Sequence, residues 1–242
     1  MTNKKSKRLV MLYRLLLLMF ILPSFAMAAT YGTAHIEKKG ASYDVSVDYP
    51  QFKDPNAQEL KANKAIVRFV HSIFDKDLKA FIKDSKSDQK EMDSSLGDSV
   101  DISFKVIRFD DRFLSIKFEK ESYGAGAAHP DHETICFNYD IKKMRLLKLE
   151  DLFNSGTNYL NQLSQYCSKY LYDKFKSSGY VDKESIKDGA GPKKKNFKAF
   201  CLDKTELIVI FQEYQVADYA EGSSEVKIPF KDLTGFSYED IR

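Results

Sequence analysis

Two histidines and two acidic residues stand close together in the stretch His129-Pro130-Asp131-His132-Glu133. Imidazole and carboxylate groups are zinc ligands, so this spacing raises the question of a metal site. A strand is expected to begin here, and alternation along it would turn residues 131 and 133 to one face and residue 132 to the other. Because the side chains would not converge, we predict no metal ion and assign His129 to a loop.

Two other patterns could indicate a phosphate-binding loop or a catalytic serine, but each lacks a feature that such a site requires. Gly124-Ala125-Gly126 resembles a phosphate-binding loop, but it has neither the G-x-x-x-x-G-K-[ST] spacing nor a helix directly after it. Ser122 and Ser224 have no histidine and aspartate at a spacing that suggests a triad. We therefore predict no catalytic residue and no cofactor, and a sharp turn between strands explains the glycines.

The three cysteines are Cys136, Cys167 and Cys201. Cys167 lies on the apolar stripe of a predicted helix, and Cys201 lies in a predicted strand between Phe200 and Leu202. A reactive thiolate needs exposed, positively charged surroundings, so these settings argue against a nucleophile. A structural disulfide between Cys167 and Cys201 is the candidate pairing, and two buried thiols are the alternative.

A polar and aromatic segment between two predicted strands contains Tyr214, Asp218, Tyr219 and Glu221. Tyrosine suits protein recognition because it offers a large rigid surface with a hydroxyl group. The two acids would suit a basic partner. We predict that these four residues, together with His129, form a ligand-binding surface. The alternative is that the tyrosines pack at the edge of the core.

Hydrophobic periodicity predicts the elements that must position these residues. Leu60, Val67 and Phe74 recur every seven residues and indicate a helix at 56–83, and a similar apolar stripe indicates a second helix at 158–177. Alternating or continuous apolar residues predict strands at 31–35, 43–49, 132–139, 197–202, 207–211 and 224–230, and a hairpin at 102–118. The expected fold class is α+β, with mostly antiparallel sheets and two main amphipathic helices packed on them.

Residues 1–28 have the features of a signal peptide: a basic start, an apolar run at 15–22, and Ala26-Met27-Ala28 before the expected cleavage site. An uncleaved membrane anchor is the alternative. This leader holds five of the 38 basic residues and none of the 35 acids, so the remainder has 33 basic and 35 acidic residues. That balance argues against nucleic-acid binding, which needs clustered positive charge. We expect a periplasmic or secreted protein with no transmembrane helix after cleavage.

Several short motifs at residues 121–153 and 207–233 form a recognisable set. They are Ser122-Tyr123-Gly124, Ala128-His129-Pro130, Phe137-Asn138-Tyr139-Asp140, Leu149-Glu150-Asp151-Leu152-Phe153, Tyr214, Ala217, Tyr219-Ala220, Gly222 and Ile228-Pro229. Together they resemble the extracytoplasmic domain family of RsiV-type anti-sigma factors. This domain also occurs beside the catalytic domain of PdaC-type peptidoglycan deacetylases, and in stand-alone proteins as a domain of unknown function. Tyr49-Pro50 and Asn63-Lys64-Ala65-Ile66 resemble the N-terminal partner domain of that family. Ala127 departs from the family pattern, which often has glycine there.

After the signal peptide at 1–28, the resemblance implies an N-terminal αβ subdomain at 29–97 and a C-terminal RsiV-like domain at 98–242. Because the RsiV domain binds lysozyme, the resemblance implies an exported non-enzymatic binding domain. Its partner would be a lysozyme-like muramidase or another cell-envelope ligand, such as a cell-wall fragment. Two alternatives remain open: a cell-wall or glycan-acting enzyme with an unrecognised site, and a structural envelope protein.

Overall fold

The computed structural model describes residues 30–87, 97–179 and 181–237. The predicted signal peptide at 1–28 lies outside these ranges. Within the described ranges, no helix combines the length and the apolar character needed to cross a bilayer.

Six strands form the larger of two sheets. Their order across the sheet is their order along the chain, and neighbouring strands are antiparallel except β2 and β3, which are parallel. The long helix α1 (Ala57–Ser87) connects these two strands, as a parallel connection requires. The strands are β1 (Tyr31–Lys39), β2 (Tyr43–Phe52), β3 (Asp98–Phe109), β4 (Phe113–Tyr123), β5 (Asp131–Asp140) and β6 (Arg145–Leu146).

Helix α1 covers one face of the large sheet. Its apolar residues recur on one side, where Ile66, Val70 and Phe74 are buried in the first hydrophobic core. Alternate residues of β4, among them Ile116 and Phe118, point into the same core. The residues between them point to the opposite face of the sheet, which is therefore available to the second half of the chain.

The second half forms a three-stranded antiparallel sheet packed against helices. Its strands are β7 (Ala199–Leu202), β8 (Glu206–Phe211) and β9 (Ser224–Pro229), and its helices are α2 (Tyr159–Ser177) and α3 (Lys183–Gly189). Along α2, Leu163, Cys167, Leu171 and Phe175 recur at helical spacing and are buried in a second hydrophobic core.

The edge strand β7 is fixed to the free face of the large sheet by two buried side chains, Ser115 and Asn138. Asn138 Nδ2 donates to the carbonyl oxygen of Phe200 at 2.7 Å. Ser115 Oγ accepts the backbone N–H of Leu202 at 3.0 Å and donates to Asn138 Oδ1 at 2.7 Å. An edge strand exposes backbone groups that need partners, and these two side chains supply them.

The predicted fold class, α+β with mostly antiparallel sheets and amphipathic helices packed on them, is confirmed. The expected division between residues 97 and 98 lies inside the large sheet, because β2 and β3 pair across it. The two cores divide the chain further along. Buried residues of the first core run from Val45 to Ile141, and those of the second, apart from Phe113, run from Leu147 to Leu233.

Candidate functional site

Residues 212–223 connect β8 to β9 and lie against the edge of β5; we call them the 212–223 loop. Strand β6 pairs with only the last two residues of β5, so most of β5 is an edge of the sheet. Gln212 Nε2 donates to the carbonyl oxygen of Thr134 at 2.8 Å, and Gln212 Oε1 accepts the N–H of Thr134 at 2.8 Å. One side-chain amide thus takes the place of a neighbouring strand and fixes the loop.

Gln215 anchors the same loop on its other side. Its Nε2 donates to the carbonyl oxygens of Gly189 and Asn196 at 2.9 and 3.0 Å. A Cβ at Gly189 would lie 1.7 Å from the carbonyl oxygen of Gln215, so the close approach requires glycine. Between these anchors Tyr214 adopts a left-handed backbone with φ of 61°, a conformation whose cost the surrounding contacts must offset.

Three rings stack at the surface where the loop meets the start of β5. The ring centroids of His129 and Tyr219 are 4.1 Å apart, and those of Tyr219 and Tyr214 are 5.6 Å apart. Tyr219 Oη donates to the carbonyl oxygen of Pro130 at 3.3 Å, and His129 Nδ1 lies 2.9 Å from the same oxygen. Tyr214 remains 60% exposed. We call His129, Tyr214 and Tyr219 the aromatic platform.

A cleft of about 660 Å³ lies beside the platform, between the free face of the large sheet and the 212–223 loop. Glu213 lines this cleft and directly precedes Tyr214 in the chain, so the two surfaces are continuous. Five carboxylates line the cleft: Asp101, Glu119, Glu121, Glu133 and Glu213. We call it the acidic cleft.

Little positive charge offsets these carboxylates. Lys120, in the wall of the cleft, lies 2.7 Å from Asp77 of α1 and 4.0 Å from Glu133. The ring nitrogen Nδ1 of His132 lies 3.8 Å from the carboxylate of Glu121. Lys117 pairs with Glu119 at 2.8 Å. Among the described residues, no lysine or arginine lies within ion-pair distance of three further carboxylates, those of Asp101, Glu121 and Glu213. A net negative potential in the cleft follows.

The same carboxylates act on the platform. Burial first, and then the negative charge of Glu213, raises the pKa of Tyr219. A tyrosine is protonated at neutral pH even at its ordinary pKa, and the upward shift extends that range, so the phenol can donate its hydrogen bond to Pro130. The part of the chain that the structure describes contains no group of three or more His, Cys, Asp or Glu residues arranged to hold a metal ion.

Three of the five predicted ligand-binding residues, His129, Tyr214 and Tyr219, meet in the platform. Asp218 is exposed and directly precedes the short 3₁₀ turn that carries Tyr219. Glu221 is half-buried and is the last residue of that turn. These two acids therefore add to the negative charge of the 212–223 loop. Tyr214 lies outside both hydrophobic cores, so it is not packed at a core edge.

The cleft carboxylates are the residues that the sequence reasoning missed. Asp101 of β3 and Glu121 of β4 pair directly across the two strands, on the face opposite α1. The signal was present as polar residues at alternate positions of both strands. This alternation did not reveal a cleft, because the opposite wall of the cleft comes from residues about 90 positions further along the chain.

The structure corrects the predicted disulfide partner of Cys201. Cys201 Sγ lies 3.2 Å from Cys136 Sγ, and Cys167 is buried in the second core. Strand alternation gives the reason: Phe200 and Leu202 point into the second core, and Cys201, between them, points to the large sheet. All three cysteines are free thiols in the structure.

A second groove, of about 740 Å³, has the opposite charge and lies on the α1 side of the large sheet. We call it the basic groove. Its lining includes Lys61, Lys64, Arg68 and Arg145, together with the half-exposed Leu146. It shares no lining residue with the acidic cleft, so each surface can be altered without touching the other.

Two known families match this chain, one in the part that forms the first core and one in the part that forms the second core. Residues 36–132 match the family described as Deacetylase PdaC, and residues 150–231 match the family described as Protein of unknown function (DUF3298). The chain is 27% identical over 218 residues to peptidoglycan-N-acetylmuramic acid deacetylase PdaC of Bacillus subtilis strain 168. The alignment covers 87% of this chain and 44% of that relative, so the chain spans less than half of the relative's length.

Two crystal structures of DUF3298-family proteins share the fold. The protein from Bacteroides fragilis NCTC 9343 superposes with a TM-score of 0.54 at 16% identity, covering 84% of this chain and 91% of that one. The protein from Pseudomonas aeruginosa PAO1 gives a TM-score of 0.57 at 15% identity, covering 88% and 95%. At this level of identity the likeness shows a shared fold. The sequence matches confirm the resemblance drawn above and relate the chain to a DUF3298 domain of unknown function associated with PdaC.

Proposed function

We propose that this chain is an exported, non-enzymatic binding domain that recognises a basic protein of the lysozyme type through the aromatic platform and the acidic cleft. One observation carries the proposal: an exposed ring stack lies directly beside three carboxylates, those of Asp101, Glu121 and Glu213, that no lysine or arginine of the described residues pairs with. Aromatic anchors and complementary charge are the two features that concentrate binding energy and steer encounter at protein interfaces.

Contacts within the chain itself hold the platform in place. Gln212 and Gln215 fix the loop from two sides, and the hydroxyl of Tyr219 is held by the carbonyl of Pro130. A partner therefore does not have to order these rings on binding, which removes part of the entropic cost of association. Tyr214, which is 60% exposed, would supply the central contact.

An extracytoplasmic location supports the proposal. The leader at 1–28 has the pattern of a signal peptide. The curated relative is named as an enzyme of peptidoglycan, a polymer outside the cytoplasm. A lysozyme is a basic protein that acts on the same polymer, so it would meet this chain in that compartment.

The experiment is a titration of the purified protein with a lysozyme, by calorimetry at low and moderate salt, together with a lysozyme inhibition assay. We expect saturable binding that weakens as salt rises, because the cleft attracts the partner electrostatically. Tyr214→Ala should weaken binding at least about tenfold, which corresponds to about 1.4 kcal/mol for a central aromatic contact. Glu213→Gln should mainly slow association and flatten the salt dependence.

Lys64→Gln and Arg68→Gln in the basic groove are the matched controls. Each changes the net charge by one unit, on the opposite side of the large sheet. They should leave lysozyme affinity unchanged or slightly raised. Absence of binding at about 10 μM lysozyme would refute the proposed partner. Equal losses in the platform and control variants would refute the proposed site.

A second candidate is a glycan-acting enzyme of the cell wall, and the carboxylate-lined cleft favours it. Glycoside hydrolysis uses two carboxyl groups facing each other across the sugar. Incubation with purified peptidoglycan and detection of new reducing ends is the test. Product formation that is abolished by Glu121→Gln would support this candidate against the binding domain, and an absence of products would remove it.

A further inference from the structure

We propose that Cys136 and Cys201 form a disulfide bond that joins the large sheet covalently to the small one. Cys136 lies on β5 of the large sheet and Cys201 on β7 of the small sheet. Their sulfur atoms are 3.2 Å apart, closer than ordinary contact between two thiols. The pair therefore lies at the junction of the two sheets.

The backbone geometry that brings the sulfurs together does not depend on them. Two residues beyond Cys136, Asn138 donates to the carbonyl oxygen of Phe200, the residue before Cys201. This hydrogen bond fixes the separation of the two strands at the position of the cysteines. Around the pair, Ile107, Ala199 and Ile208 form a small apolar cluster between the sheets. Formation of the bond must bring the two sulfur atoms from 3.2 Å apart to about 2.0 Å.

The two thiols differ in access, which assigns them different roles in the reaction. Cys136 is half-buried, whereas Cys201 is fully buried but borders a crevice of about 160 Å³ that Lys117 also lines. An oxidant carrying a disulfide, such as a thiol–disulfide oxidoreductase or oxidised glutathione, meets Cys136 first. Cys201 lies behind it as the resolving thiol.

The reaction proceeds by thiol–disulfide exchange. The Cys136 thiolate attacks one sulfur of the oxidant disulfide, and that disulfide breaks to release one thiol. The Cys201 thiolate then attacks the sulfur of Cys136 in the mixed disulfide and releases the second thiol. Two cysteine protons are transferred, the two cysteines are oxidised by two electrons, and the oxidant disulfide is reduced to two thiols. The hydrogen bond to Cys201 and then burial raise the pKa of Cys136, so exchange in the folded protein is slow.

The bond has a direct structural consequence. It closes a loop across a sequence separation of 65 residues and ties the two units that form the walls of the acidic cleft. Cys167 takes no part. It is buried in the second core, and burial raises its pKa to about 12, so it remains a free thiol.

Peptide mapping tests the proposal directly. The full-length chain is produced in a bacterium that exports it to an oxidising periplasm, purified without reductant, alkylated in denaturant and digested with trypsin. Each cysteine falls on its own tryptic peptide: residues 121–142, 149–169 and 199–204. We expect peptide 121–142 linked to peptide 199–204, and peptide 149–169 alkylated. Three alkylated peptides, or a link that includes 149–169, would overturn the proposal.

Thermal melts with and without reductant give a second measurement. Reduction should lower the melting temperature of the wild-type chain and of Cys167→Ala by roughly 5–15 °C, because the cross-link restricts the unfolded chain. Cys136→Ser should melt at the same temperature with and without reductant. A reductant-dependent shift that persists in Cys136→Ser, or is absent from the wild-type chain, would contradict the bond.

Discussion

Asn138→Ala is the substitution that best tests how the two sheets are joined. Asn138 is buried, donates to the carbonyl oxygen of Phe200 at 2.7 Å, and accepts the hydroxyl of Ser115 at 2.7 Å. Alanine removes both bonds and leaves the carbonyl and the hydroxyl without these partners. The Asn138 side chain is only 4% exposed, so bulk water has little access to these two groups.

The expected loss of stability follows from those two groups. A buried polar group left without its partner costs about 1–3 kcal/mol. The Phe200 carbonyl bears most of this cost, since Ser115 keeps its bond to the N–H of Leu202. We expect the free energy of unfolding to fall by about 3 kcal/mol, and the melting temperature by about 6–12 °C for a domain of this size.

Urea unfolding followed by far-ultraviolet circular dichroism is the assay, since the chain has no tryptophan. Asn161→Ala, an exposed position on α2, is the matched control and should change stability by less than about 0.5 kcal/mol. The double variant Ser115→Ala with Asn138→Ala should lose less than the sum of the two single losses, because both residues serve one network. A loss below about 0.5 kcal/mol for Asn138→Ala would refute the reasoning that this side chain holds β7 in place.

Three further predictions concern other parts of the fold. Lys120→Met should destabilise the protein by about 3–5 kcal/mol in chemical denaturation, because it leaves the carboxylate of Asp77 buried without its cation. Adding Asp77→Leu should restore most of that loss. A double variant that is no more stable than Lys120→Met would argue against the ion pair. For Asp110, burial raises the pKa, but hydrogen bonds from the turn backbone and from a guanidinium outweigh burial and hold the pKa below 3.8. The stabilisation of the fold by this carboxylate is therefore present above that pH and is lost as pH falls through the lowered pKa. Asp110→Asn should therefore cost about 1–2 kcal/mol at pH 7 and progressively less in unfolding measurements below pH 4, and a penalty that stays constant down to pH 2 would contradict this. Gly189→Ala should destabilise by about 1–3 kcal/mol, since its Cβ would overlap a carbonyl oxygen of the 212–223 loop, whereas Gly124→Ala, with open space around it, should be neutral in the same thermal melts.

The amino-acid sequence predicted the helices and strands because each depends on a local repeat. The apolar spacing in α1 and α2 and the alternation in β4 and β5 are properties of neighbouring residues, and burial preserves them. The same local reasoning identified Tyr214 and Tyr219 as surface candidates, since they lie in a polar segment between two strands. The order of these elements predicted the α+β class. The short motifs at residues 121–153 and 207–233 added the resemblance to known proteins.

Tertiary structure alone decided which elements became neighbours. Alternation tells which residues of β7 share a face, but only the docking of β7 on β5 places Cys201 beside Cys136 and away from Cys167. The acidic cleft likewise needs Glu121 and Glu213 on opposite walls, although 92 positions separate them in the chain. Local periodicity carries no information about such distant pairings, because they are selected by the packing of whole sheets and by the need to satisfy the backbone groups of an edge strand.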